Sequence, residues 1–175
     1  KSKDYIIYSH NGSKLNDIDA IDIKNDYPTI YEYLSEFGNA IYDRPSQGKH
    51  WSNVQTNYLG EFKLPKIIWG ELSDKPKFAY DNRGSLVEAT VFMLTGENLK
   101  NLLIILNSKL SEWYFETFTT TSGMGTNRWK KYKILKFPIK LPSEIDNLKF
   151  EILADYLIYL NDNTQKPVNP YTDNA

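Results

Sequence analysis

The sequence predicts an α+β fold: a small mixed or antiparallel sheet packed with amphipathic helices and ending in a long helix. Short apolar runs rich in β-branched and aromatic residues stand at KIIWGEL (Lys66 to Leu72), KFAYD (77–81) and ATVFML (89–94). Apolar residues recur with a helical period after Pro28, after Leu99 and after Ser143. The two patterns interleave without the regular alternation of a doubly wound parallel sheet.

The elements follow in order. DYIIYS (4–9) reads as a short strand closed by the turn signal HNGS. Pro28 suits a first helical position, and Ile30, Leu34, Phe37 and Ile41 continue one helix that ends before RPSQG. A polar loop with His50 and Trp51 comes next. KIIWGEL then reads as a buried strand, with KFAYD and ATVFML as its partners and DNRGS as a turn. Leu99, Leu102, Leu103, Leu106, Leu110 and Trp113 mark one long amphipathic helix, with Thr95 as its cap. A last helix is expected from Ser143 to about 160, carrying Leu148, Ile152, Leu153, Tyr156, Leu157 and Leu160 on one face. Residues 1–160 are expected to form one domain, and the polar, proline-containing stretch 161–175 a tail or linker.

Composition removes several function classes. The absence of cysteine excludes disulfides, thiolate catalysis and cysteine metal sites, and fits a reducing, cytoplasmic compartment. No apolar run approaches the ~20 residues of a membrane span. Lys1 is no initiator, so the chain reads as a piece of a larger protein. The formal charge is −1, yet the stretch from Lys100 to Lys140 carries a net +6. A neutral total therefore conceals a basic segment on an acidic body.

Catalytic and cofactor motifs fail one by one. Gly123 and Gly125 form a GxG, but Arg128 stands where a third glycine belongs, and the loop follows a helix instead of a strand. No GK[ST] phosphate loop occurs, and His10 and His50, the two histidines, lack any metal-site context. A magnesium nuclease stays open as an alternative, since Glu61, Phe62 and Lys63 spell ExK with Asp43 upstream, and Asp22 and Lys24 form a DxK. Such triplets arise readily by chance in a chain one quarter charged. A protein-interaction module docking through the final helix is another alternative.

The basic segment survives elimination. Six cations and no anions stand between Ser122 and Lys140: Arg128, Lys130, Lys131, Lys133, Lys136 and Lys140. Lysines there suit phosphates, Ser122, Thr126 and Asn127 offer short polar side chains, and Arg128 has the planar fork that matches a guanine edge. Trp129, Tyr132, Ile134, Leu135 and Phe137 are expected to belong to the core.

LPKIIWGELS (64–73), a hairpin, LLIILNSKLSEWYF (102–115) and GMGTNRWKKYKILKFPIKLP (123–142) stand in an order that resembles the TaqI-like C-terminal specificity domain. YPTIYEYL and the DRPSQGKHW loop precede them in the order seen in that family, and the likeness covers about residues 4–142. The family forms the target-recognition part of adenine-N6 DNA methyltransferases and of Eco57I-type restriction-modification enzymes. The resemblance implies sequence-specific recognition of double-stranded DNA, non-catalytic by itself. S-adenosylmethionine and methyl transfer would then belong to a methyltransferase domain of the same parent chain, because no [ND]PP[YFW] base-holding tetrapeptide occurs here. The expected DNA contacts are Gln47, Lys49, His50 and Trp51 in one loop, Lys109, and Ser122, Gly123, Thr126, Asn127, Arg128, Lys130, Lys131 and Lys133 in the basic segment.

Overall fold

A computed structural model describes residues 6–14, 16–45, 47–55, 58–118 and 127–164. The chain divides into two compact units, Lys1–Glu61 and Phe62–Ala175.

Among its described residues the first unit carries three short helices joined by irregular segments. Helix α1 (Ile23–Asp26) is capped by Asp22, whose carboxylate accepts from the Asn25 backbone N–H at 3.1 Å and side-chain amide at 2.6 Å. These hydrogen bonds hold the Asp22 carboxyl below its ordinary pKa. Pro28 opens α2 (Pro28–Ser35), as its fixed φ favours. The helix expected to continue to Ile41 is interrupted by a turn at 36–38, and α3 (Asn39–Tyr42) starts after Gly38, whose φ of 53° a helix cannot contain. The strand expected at DYIIYS does not form in its described part. Residues 6–9 are irregular, with one isolated bridge from His10 to Val54, and Ile6 and Ile7 are exposed.

Helix α4 (Leu59–Lys63) leads into the second unit. There β1 (Lys66–Gly70) is followed by β2 (Leu72–Ser73), β3 (Ala79–Asp81) and β4 (Val91–Thr95). The order β3-β1-β4 is antiparallel throughout and places Lys66 opposite both Asp81 and Thr95. Ile67 and Trp69 point into the core from β1. The DNRGS turn forms as expected: the Asp81 carboxylate accepts the backbone N–H of Arg83 and of Ser85 at 3.0 Å each.

The long helix expected from Leu99 to Trp113 is two helices, α5 (Leu99–Leu106) and α6 (Lys109–Phe118). The reason is local. The Asn107 amide oxygen accepts the Phe78 N–H and its nitrogen donates to the Phe78 and Leu103 carbonyls, while Ser108 Oγ accepts the Ser111 N–H and so caps α6. Thr95 ends β4 instead of capping α5, whose first flanking residue is Asn98 in a left-handed conformation.

A second, two-stranded ribbon pairs β2 with β5 (Asn127–Arg128), and α7 (Lys131–Ile134) follows. Ile67, Trp69, Phe78, Leu99, Leu103, Leu106, Phe115, Trp129 and Ile134 form one buried cluster. Helix α8 (Glu144–Thr164) starts after Ser143, whose hydroxyl accepts the Asp146 N–H, and runs four residues past its expected end. It packs on α5 through Ala154, an Asn101–Asn147 amide contact of 2.5 Å and a Lys100–Asp155 ion pair of 2.7 Å. The apolar stripe Ile145, Leu148, Ile152, Tyr156 and Tyr159 lies on the opposite side and is exposed. Among the described residues no helix is long and apolar enough to cross a membrane.

Candidate nucleic-acid interface

The basic segment is mounted on the core by Trp129 and Ile134. Trp129 is 2% exposed, stacks face to face on Phe115 at 3.7 Å and 6°, and meets Phe78 edge-on at 5.7 Å. Its backbone N–H donates to the Glu71 carbonyl at 2.7 Å, its carbonyl accepts Trp69 Nε1–H at 2.8 Å, and its own Nε1–H donates to the Ser73 carbonyl. Every polar group of this residue is thereby satisfied, and β5 is registered on β2 with Leu72 opposite Arg128.

Trp129 and Ile134 are thus core residues, as expected. Tyr132 and Leu135 are exposed, which corrects their assignment to the core, because one turn of α7 can bury one face only. Tyr132, Lys133 and Lys136 line an open cleft of about 440 Å³ together with Tyr114 and Thr117 of α6.

Ion pairing sorts the cations. Arg128 Nη1 lies 3.6 Å and Lys130 Nζ 3.8 Å from Glu71 Oε1. Lys131, Lys133, Lys136 and Lys140 have no carboxylate within ion-pair distance among the described residues. Lys109 differs. It opens α6, and its ammonium is held above its ordinary pKa by the 2.7 Å hydrogen bond that it donates to the Glu112 carboxylate.

In the first unit the expected loop is tightly tethered. Arg44 donates to the Trp51 and Asn53 carbonyls, and the Asn53 amide donates to the His10 and Ile21 carbonyls. Gln47 is spent on the Tyr42 carbonyl, and the Lys49 N–H is held by Asn11 while its side chain is exposed. Trp51 is half-buried between Tyr31 and Tyr42, at 5.1 and 4.7 Å between ring centroids. His50 Nδ1 accepts the Ser52 N–H at 3.3 Å and lies 2.8 Å from Ser52 Oγ.

Of the residues expected at the site, the structure brings Arg128, Lys130, Lys131 and Lys133 together on one short stretch. Asn127 takes part through its backbone, opposite Ser73. Ser122, Gly123 and Thr126 lie outside the described residues. Lys109 is ion-paired with Glu112 on α6, and Gln47, Lys49, His50 and Trp51 stand in a loop of the first unit. Glu71 was not anticipated: it is far upstream in sequence, and only the β2–β5 pairing reveals it among the cations. Among the described residues no three carboxylates or histidines converge to hold a metal ion. Glu61 lies in α4 and Asp43 ends α3.

Residues 16–139 match the family model described as the TaqI-like C-terminal specificity domain. Both compact units contribute to the match, which includes the tethered loop and the basic segment as far as Lys136.

Proposed function

Because the chain belongs to the TaqI-like C-terminal specificity domain family, we propose that it recognises a specific double-stranded DNA sequence as the target-recognition part of a restriction-modification enzyme. The observation that carries this reading is the run Lys131, Lys133, Lys136, Lys140. These lysines, without an ion pair among the described residues, sit on a segment held to the core at Trp129 and Ile134, as phosphate contacts that fix register require. Arg128 supplies the base-reading candidate. In this reading the chain is non-catalytic. S-adenosylmethionine binding and methyl transfer reside in a methyltransferase domain of the same parent, where the missing base-holding tetrapeptide would stand.

The test is selection from a random duplex library, followed by a salt titration on the selected site. One sequence should be enriched. Four to five phosphate contacts at about 0.9 each give a log–log salt slope of roughly −3.6 to −4.5. Failure to enrich any sequence, together with a flat salt response, overturns the reading.

The exposed apolar stripe of α8 supports a second role on the same chain, docking of the parent's methyltransferase domain. Ile152→Glu should leave the melting temperature unchanged while weakening association with that domain supplied in trans. Unchanged association removes this role.

A further inference from the structure

Glu71 poses a chemical problem. It is an anion standing among cations that the reading above assigns to DNA, and an uncompensated carboxylate there opposes phosphate binding. Structural anchoring does not explain its side chain, since it is the Glu71 backbone carbonyl that holds Trp129. An exposed ion pair contributes little to stability, and this one is loose. At 3.6 Å the Arg128 contact is well beyond the ~2.7–2.9 Å of a charge-assisted hydrogen bond, with the two side chains 52% and 35% exposed. The guanidinium donors and the carboxylate lone pairs are accordingly still available to a ligand.

Side by side, these two groups present a fork of donors next to an acceptor. The major-groove edge of a G·C pair presents the complement: guanine N7 and O6 accept, and the cytosine N4 amino group donates. Arg128 lies in β5 of the β2–β5 ribbon and Glu71 immediately precedes β2, and a two-stranded ribbon has dimensions that a major groove admits. Lys130, a point charge without a fork, suits the neighbouring phosphate instead.

We propose that Glu71 determines specificity jointly with Arg128 by reading one G·C base pair, Arg128 taking the guanine edge and Glu71 the cytosine N4 amino group. This inference rests on the DNA-recognition reading. The experiment uses the parent enzyme and the duplex obtained by selection. Each cytosine in turn is replaced by 2-pyrimidinone, which lacks the N4 amino group. At one position wild-type protein should lose about tenfold in affinity. Glu71→Ala should be insensitive to that replacement and accept other base pairs there, whereas Glu71→Gln, which keeps an acceptor but no charge, should retain part of the preference. Melting temperatures of both variants should match wild type.

If Glu71→Ala shifts affinity equally on selected and scrambled duplexes and keeps every base preference, Glu71 is an electrostatic tether and the inference fails while DNA recognition stands. A selected sequence without any G·C pair sensitive to Glu71 has the same meaning. Selection that returns no sequence overturns the DNA reading and this inference with it.

Discussion

Replacing Trp129 by alanine separates a ring that holds the segment from a ring that stacks on a base. Trp129 is almost fully buried, so truncation removes a large apolar body and leaves a cavity, a change that costs about 3–5 kcal/mol. The stacked pair with Phe115 accounts for ~0.5–1.5 kcal/mol of that loss. The hydrogen bond from Trp69 to the Trp129 carbonyl survives, because that acceptor is backbone. A loss of ~4 kcal/mol is a large share of the 5–15 kcal/mol typical of a folded protein. At ~2–4 °C per kcal/mol for a chain of this size it should lower the melting temperature by about 8–16 °C. Thermal and urea unfolding, followed by far-UV circular dichroism, measure the effect. Trp129→Phe keeps a ring on Phe115 and loses the hydrogen bond to Ser73, so it should fall between wild type and alanine. Unchanged stability in Trp129→Ala, with duplex affinity lost, would refute the argument and return Trp129 to the DNA surface.

Three further outcomes are expected. Burial pushes the Asp81 carboxyl up, but Lys66, the Arg83 N–H and Ser85 together outweigh it and hold the group below its ordinary value. Its contribution to stability is therefore present above the unfolded pKa of ~3.9 and lost as pH falls through the lower folded value. Asp81→Asn should flatten that acid limb in urea titrations and cost about 3–5 kcal/mol at neutral pH, since it leaves a buried ammonium unpaired; an unchanged limb contradicts the assignment. Lys131→Ala and Lys133→Ala should each reduce the salt slope of duplex binding by about one, whereas Lys109→Ala, already paired with Glu112, should change it little; equal effects would put Lys109 back in the interface. At Gly12 (φ 73°) an added Cβ would meet the Ala20 nitrogen at 2.6 Å and the Ile18 carbonyl oxygen at 2.7 Å, so Gly12→Ala should destabilise the first unit by ~1–3 kcal/mol in hydrogen-exchange measurements.

The sheet was legible because β1, β3 and β4 combine apolar β-formers with a turn whose Asp81 acts through its own side chain. Helix boundaries were less so. The apolar period runs without a break from Leu106 to Leu110, and only the competition of Asn107 and Ser108 for backbone groups divides α5 from α6. In α8 the apolar residues do form one face, but the helix buries a narrower stripe through Asn147, Ala154 and Ile158, a pattern that periodicity does not advertise. DYIIYS had strand composition, but its described residues join no ladder beyond the single Val54 N–H that the Ser9 carbonyl accepts. At the site, the clustering of Arg128 and the lysines could be read from consecutive residues. Glu71 could not, because charge counted along the chain is blind to an acid brought in by strand pairing.

Lys66 and Asp81 are directly opposed across β1 and β3, with the ammonium 0% exposed and 2.5 Å from the carboxylate. Such a pair adds little stability over a matched apolar pair, but it makes misalignment expensive. Sliding β1 by one residue against β3 would leave two buried charges without partners and turn Ile67 and Trp69 out of the core. Since Glu71 follows β1 directly, the same lock fixes how far along the ribbon Glu71 stands, and so whether it meets Arg128 at all. A charge pair buried at one end of a strand thus sets the alignment of a surface at the other end, and variants of Lys66 or Asp81 should blur DNA discrimination before they abolish folding.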